Sequence, residues 1–245
     1  IIEKAKDLVG LSTDESKDSS ISREEKWQEK SRVDKDNEYG RLAVTNLHKY
    51  HPTEKMLTVE WHAKENVSIE ERPRPVVTDP KDVILRITAT TICGSDLHMY
   101  YNKVPAVKAM RDGDILGHEF MGVIEEVGPE VKNFKVGDRV VSSFEINCGD
   151  CEYCQKKMPT LCQRTNPSTQ MSVLYGQRIA GAFGYSHVTG GYAGGQAEYI
   201  RRPFADTGLL KVPDSLKDEQ VLLLSDVLCT GYHGTWCARL QPSDT

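Results

Sequence analysis

From Met56 onward the apolar residues fall into short runs rather than long helical stripes. Met56 to Trp61 alternates loosely, and Val67 to Glu71 follows after a polar break, with Pro73 and Pro75 expected to stop that run. Val83 to Thr90, dense in Val, Ile and Thr, predicts a strand. Met121 to Val127, closed by Gly128-Pro129, predicts another. Val136 to Val141 reads as a turn entering a strand, and Ala197 to Arg201 as one more strand. Near the end, Asp214 or Ser215 can cap a long helix whose apolar face is Val221 to Leu224. Many short strands punctuated by Gly and Pro predict a mainly β fold with a few helices, an irregular β domain over residues 53–245. Residues 1–52 differ. Charged residues crowd together and β-branched residues are sparse, so the segment buries too little to offset its ordering entropy. It is expected to be a flexible polar extension in which Trp27 could anchor a short helix, with His48 and His51 as linker histidines.

Six glycines lie between Gly181 and Gly195. A dinucleotide-binding loop must follow a strand and open a helix. This stretch carries Tyr185, His187 and Tyr192 and runs toward Tyr199 and a strand, so it is expected to be a loop and strand entry near an active cleft. Composition narrows the field further. With 31 Lys and Arg against 36 Asp and Glu, the net charge of −5 lacks the basic footprint of a nucleic-acid binder. No apolar run approaches the roughly 18–20 residues of a membrane helix. Ile1 to Ser20 carries no secretory pattern.

The chemistry-bearing residues cluster. Cys148, Cys151, Cys154 and Cys162 follow a Cys-x2-Cys-x2-Cys-x7-Cys spacing, which suits four thiolates around one tetrahedral zinc. Gly149 eases the turn between the first two. Such a site implies a reducing compartment, most simply the cytosol, with the mitochondrion as the alternative. A second set is more dispersed. Cys93-Gly94-Ser95-Asp96-Leu97-His98 follows the Val83–Thr90 strand, and Gly117-His118-Glu119 comes later. Together they offer a thiolate and an imidazole to a second zinc, with Asp96 and Glu119 placed to orient the ligands. A catalytic zinc needs a third protein ligand and an open position; Asp226 and Cys229 are both chemically suitable.

These residues, with Gly190 to Tyr199 and Ser225 to Gly234, resemble the GroES-like catalytic domain of the zinc-dependent medium-chain alcohol dehydrogenases. Within that superfamily the chain is most similar to the glutathione-independent formaldehyde dehydrogenases, from about Met56 to its end. The family's third zinc ligand lies four residues before the threonine of Thr230-Gly231-Tyr232, which implies Asp226. The resemblance therefore implies two zincs per chain: one held by Cys93, His118 and Asp226, the other by the four clustered cysteines. It implies NAD as the hydride acceptor of the full-length enzyme, with Thr230 on the cofactor side. Gly94 stands where many relatives carry a basic residue for the cofactor pyrophosphate.

The implied chemistry is hydride transfer from a small alcohol, or from an aldehyde as its hydrate, a gem-diol. Ser95 would take the hydroxyl proton and His98 would relay it outward. The family also has a Rossmann domain of about 100–150 residues, by the usual size of a domain. Gln241 to Thr245 resembles the lead into its first strand, so that domain is expected to be missing or only begun here. Cys237 is expected to be a small buried hydrophobe. A homo-oligomer or part of a larger assembly is expected, with no nucleic acid and no membrane span. The competing expectation is a non-catalytic zinc-binding subunit or assembly protein derived from a dehydrogenase.

Overall fold

The computed structural model describes residues 49–241 and residue 244. The expectations for Trp27, for His48 and for most of the 1–52 extension lie outside those residues, as do those for residues 242, 243 and 245.

The described residues are built on antiparallel sheets. The first is a long hairpin, β1 (Lys49–Ala63) and β2 (Asn66–Val76), completed by the short β4 (Asp114–Ile115) in the order β2-β1-β4. β2 runs through Pro73 and Pro75 instead of stopping before them. It is an edge strand, where a residue without an N–H is tolerated, and a register shift between Tyr50 and Lys55 absorbs the irregularity. His51 accordingly lies within β1, its Nδ1 accepting a hydrogen bond from Glu54 N at 2.8 Å.

The second sheet has five strands in the order β10-β6-β5-β3-β9. They are β3 (Val83–Thr90), β5 (Phe120–Val127), β6 (Arg139–Ser142), β9 (Tyr199–Arg202) and β10 (Leu209–Lys211). β3 lies between β5 and β9, so Val83, Ile84 and Leu85 are buried on both faces. Alternation along β5 sends Phe120 and Ile124 into the main core with Leu85, Val140 and Phe183. Met121 points the other way and packs with Val141, Val212 and Val221. A third, small sheet pairs β7 (Glu145–Ile146) with β8 (Gly181–Ala182).

Helices are short. α1 (Gly94–Tyr100) follows β3; α2 (Glu152–Gln155) and α3 (Thr169–Tyr175) lie between β7 and β8; α4 (Ala205–Gly208) joins β9 to β10. The single long helix expected near the end is broken. α5 (Asp218–Val221), entered from Lys217 and not from Asp214 or Ser215, passes into a 3-10 helix (Leu222–Ser225). The chain then turns at Asp226, at φ −152° and ψ −72°, into α6 (Val227–Ala238). α6 buries no residue among those described and exposes Val227, Leu228, Tyr232 and Trp236. Cys237 is exposed on it rather than buried, its Sγ 3.3 Å from His233 Nε2. Among the described residues no helix is long and apolar enough to cross a membrane.

Candidate metal centres

The strand pairing brings the first set of donors together. Thr90, at the end of β3, is paired with Phe120, at the start of β5. Cys93 comes just after the one and His118 just before the other, so two segments distant in sequence meet at one end of the sheet. The glycine-rich stretch runs beside them as loop and strand entry. Gly194 N donates to Ile115 O at 2.9 Å, Gly195 N to Gly117 O at 2.6 Å and Gln196 N to Leu116 O at 3.1 Å. A side chain at Gly194 would collide with the carbonyls of Leu116 and Gly117, so glycine is required for this approach to the His118 segment.

His118 is fully buried. Its ring nitrogen, the Cys93 Sγ and a Glu119 carboxylate oxygen all lie within 4.8 Å of one another. Asp226 Oδ2 reaches His118 Nε2 at 3.5 Å but stands outside that group of three. Its other oxygen, Oδ1, accepts a hydrogen bond from Thr230 Oγ1 at 3.0 Å. Burial opposes charge on His118, yet Asp96 and then Cys93 outweigh it and raise its pKa above the ordinary imidazole value.

Two buried carboxylates tie the donor segments to one another. Asp96 accepts from Cys93 N at 2.8 Å and from Gly117 N at 3.2 Å, and its Oδ1 stands 3.5 Å from His118 Nδ1. Among the described residues that nitrogen makes no hydrogen bond of normal geometry; the Asp96 carboxylate stands behind the ring while Nε2 faces Asp226. Glu119 accepts from Thr91 Oγ1 and, through Oε1, from Val227 N at 3.2 Å. It thereby links the approach to Cys93 with the residue after Asp226.

Ser95 Oγ lies 3.8 Å from Cys93 Sγ. His98 is exposed on α1, and among the described residues no hydrogen bond joins it to Ser95. Thr230 is exposed on α6. Cys229, the other third-ligand candidate, is exposed, with its Sγ 3.4 Å from Leu224 O. Two aromatic residues complete the site: Tyr185, named from the sequence only as part of the glycine-rich stretch near a cleft, and Phe144, which was not singled out. Tyr185 lays its ring on His118, centroids 4.7 Å apart and tilted by 30°, with its hydroxyl 3.4 Å from Nε2. Burial pushes its phenol up to about 12, against a lowering hydrogen bond with Ser95. Phe144 meets His118 edge-on at 6.5 Å and anchors the Asp226 segment by donating from its N–H to Ser225 O at 3.3 Å. Beside it, burial and then Asp226 push the Glu145 carboxyl up to about 7, against the lowering effect of Arg202.

The four clustered cysteines form a separate centre between β7 and β8. Their sulfurs all lie within 4.8 Å of one another, with Cys148–Cys154 at 4.0 Å and Cys151–Cys162 at 3.9 Å. A tetrahedron with metal–sulfur bonds of about 2.3 Å has edges of about 3.8 Å, so the set fits zinc. All four are free thiols, and Gly149 turns between the first two at φ +77°. Interaction with Cys148 holds the Cys162 thiol well below the ordinary thiol range and pushes Cys148 up. Cys148, Cys151 and Cys162 belong to the main core, beside Phe204 and Ala205.

Comparison with known proteins follows the same outline. The family model described as the alcohol dehydrogenase GroES-like domain matches residues 79–214. A zinc-type alcohol dehydrogenase-like protein of Schizosaccharomyces pombe is 44% identical over 186 residues, covering 76% of this chain and 43% of that protein. A glutathione-independent formaldehyde dehydrogenase of Pseudomonas aeruginosa is 38% identical over 189 residues, covering 73% of this chain and 44% of that protein. Among solved structures, an alcohol dehydrogenase from Thermus sp. ATN1 superposes with a TM-score of 0.67 at 36% identity, covering 77% of this chain and 49% of that one. The chain thus spans less than half the length of these relatives.

Proposed function

Because the chain belongs to the zinc-type alcohol dehydrogenases, through their GroES-like domain, we propose that it is the catalytic part of an oxidoreductase. The reaction is hydride transfer to NAD from a small alcohol or from an aldehyde hydrate. The observation that carries this reading is the meeting of Cys93, His118 and Glu119, with Asp226 at His118 Nε2 and Ser95 beside Cys93. A purely structural zinc would have no use for a hydroxyl at that position.

On this reading Cys93, His118 and Asp226 hold the catalytic metal, and Cys148, Cys151, Cys154 and Cys162 hold the structural one. Zinc supplies Lewis acidity toward a substrate oxygen, and NAD accepts the hydride. The protein's own groups do the rest. Ser95 accepts the substrate's hydroxyl proton. His98, exposed on α1, passes it to solvent. Asp96 keeps the His118 ring oriented from behind, and Glu119 holds the Cys93 and Asp226 segments in register. Asp226 is preferred to Cys229 because it faces His118, whereas the Cys229 thiol lies against Leu224 O. Thr230, by way of Asp226 Oδ1, fixes the carboxylate that the metal needs. The seven free thiols fit a reducing compartment such as the cytosol.

Native and denaturing mass spectrometry of the protein from its natural source, followed by NADH absorbance with a panel of alcohols and aldehydes, tests the reading. Two zincs per chain with NADH formation is the expected result. A zinc-loaded protein that leaves NAD unreduced with every substrate overturns it in favour of a non-catalytic zinc subunit.

A further inference from the structure

Away from both metal centres, α6 pairs a nucleophile with a base. Cys237 and His233 are four residues apart and so share one face of the helix, with Cys237 Sγ 3.3 Å from His233 Nε2. The Trp236 ring stacks on the imidazole, centroids 5.9 Å apart and planes inclined by 27°, which restrains it from swinging away from the sulfur. Both residues are exposed. Gly234, three residues before Cys237, keeps the approach to the thiol open, since a Cβ there would meet nothing within 4 Å. From Val227 to Gln241 the sequence holds no carboxylate side chain, and Arg239 follows the thiol by two residues. Cys229 supplies a contrast on the same helix. It is exposed too, but its Sγ lies 3.4 Å from Leu224 O, a carbonyl oxygen that is no base at neutral pH.

We infer that Cys237 is a thiol-modification site, activated by His233, that takes an anionic low-molecular-weight disulfide such as glutathione disulfide. As the Cys237 sulfur attacks one sulfur of the reagent, His233 Nε2 accepts the thiol proton. A bond forms between Cys237 Sγ and that sulfur, the reagent's own S–S bond breaks, and the departing thiolate takes the proton back from His233. Cys237 is thereby oxidised and the departing half of the reagent is reduced to its thiol, so no other oxidant is needed. The Arg239 guanidinium attracts an anionic reagent, and no carboxylate on the helix repels it. Low-molecular-weight thiol reverses the step, so the extent of modification follows the ratio of disulfide to thiol around the protein.

The test incubates the zinc-loaded protein with glutathione disulfide at pH 7 and follows each adduct separately by peptide mapping in the mass spectrometer. Cys237 should react about tenfold faster than Cys229, below the ceiling of roughly 30-fold set by a free thiol that is only a few per cent ionised at that pH. His233→Ala should bring Cys237 down to the rate of Cys229 and leave Cys229 unchanged, with wild-type zinc content and circular dichroism as the check on folding. Arg239→Gln should slow the reaction with glutathione disulfide but not with the neutral bis(2-hydroxyethyl) disulfide. Equal rates at Cys237 and Cys229 in the wild type overturn the inference without any variant, and so does an advantage of Cys237 that survives His233→Ala. An Arg239→Gln effect that is the same for both reagents, or absent for both, overturns the choice of an anionic one.

Discussion

Asp226 divides its carboxylate between two partners: Oδ2 faces His118 Nε2 at 3.5 Å, and Oδ1 accepts from Thr230 at 3.0 Å. The second contact orients the first. Asp226→Ala should therefore remove one of two zincs and spare the other, as counted by native mass spectrometry, because the two centres share no ligand. Loss of both, or of neither, would contradict the assignment.

The Asp96 carboxylate holds Cys93 N and Gly117 N and faces His118 Nδ1. Asp96→Asn keeps the shape but removes the negative charge behind the ring. Metal affinity at this centre should fall about 10–100-fold, as outer partners of metal ligands usually show. Competition with a chelator of known affinity measures it, and occupancy of the four-cysteine centre should not change.

Cys151 is both a donor of the cysteine centre and part of the main core. Cys151→Ser should abolish that metal site and, with it, the folding free energy that the metal contributes. Aggregation on expression, or a lower and metal-independent urea midpoint, is expected. A variant with the wild-type midpoint would show that the centre does not support the fold.

Gly194→Ala places a methyl group against the Leu116 and Gly117 carbonyls, which cannot rotate away as a side chain could. The expected cost is about 1–3 kcal/mol, the usual range for overpacking. The displaced segment carries His118, so loss of the catalytic metal should accompany the lowered melting temperature while the cysteine-bound metal remains.

Glu145 sets a pH signature. Its carboxyl, ordinarily near 4.5, is pushed up to about 7 in the folded chain by burial and the nearby Asp226. The folded state therefore holds a proton that the unfolded state has released. This stabilisation is fully present below pH 4.5 and is lost as pH rises through about 7. The whole swing is about 3 kcal/mol at 1.36 kcal/mol per pKa unit. Urea midpoints of wild type and Glu145→Gln, compared from pH 4.5 to 8, should show wild type losing stability relative to the variant as pH rises. A constant difference would exclude the linkage.

What could be read from the sequence was what is encoded locally. β3 announced itself because its β-branched residues lie side by side, and the cysteine centre because its ligand spacing is a short-range pattern. The break of the last helix at Asp226 was not visible. Its cause lies in distant contacts: Val227 N bonds to Glu119, Ser225 O accepts from Phe144 N, and Asp226 turns toward His118. Phe144 escaped notice for the same reason, and Tyr185 was legible only as part of the glycine-rich stretch near a cleft, since neither is near Cys93 or His118 in sequence. β2 outran its prolines because edge position is a property of the sheet, not of the run. Cys237 showed that a cysteine's apolar character does not by itself place it inside.

The two centres also differ in how much chain each must gather. The cysteine centre draws all its donors from between residues 148 and 162, a loop whose closure entropy is modest and whose closing takes well under a millisecond. The other centre needs β3 paired with β5, and the segment at Asp226 laid across both, before Cys93, His118 and Asp226 can meet. Its contacts are of high order, and such contacts form late. On the proposed reading, the cysteine centre could capture its ion on a chain still largely open, whereas the other centre must wait for the finished sheet. If both centres take zinc as proposed, a shortage of the metal as the chain emerges would damage folding, whereas a shortage afterwards would leave the fold intact and only the second centre empty.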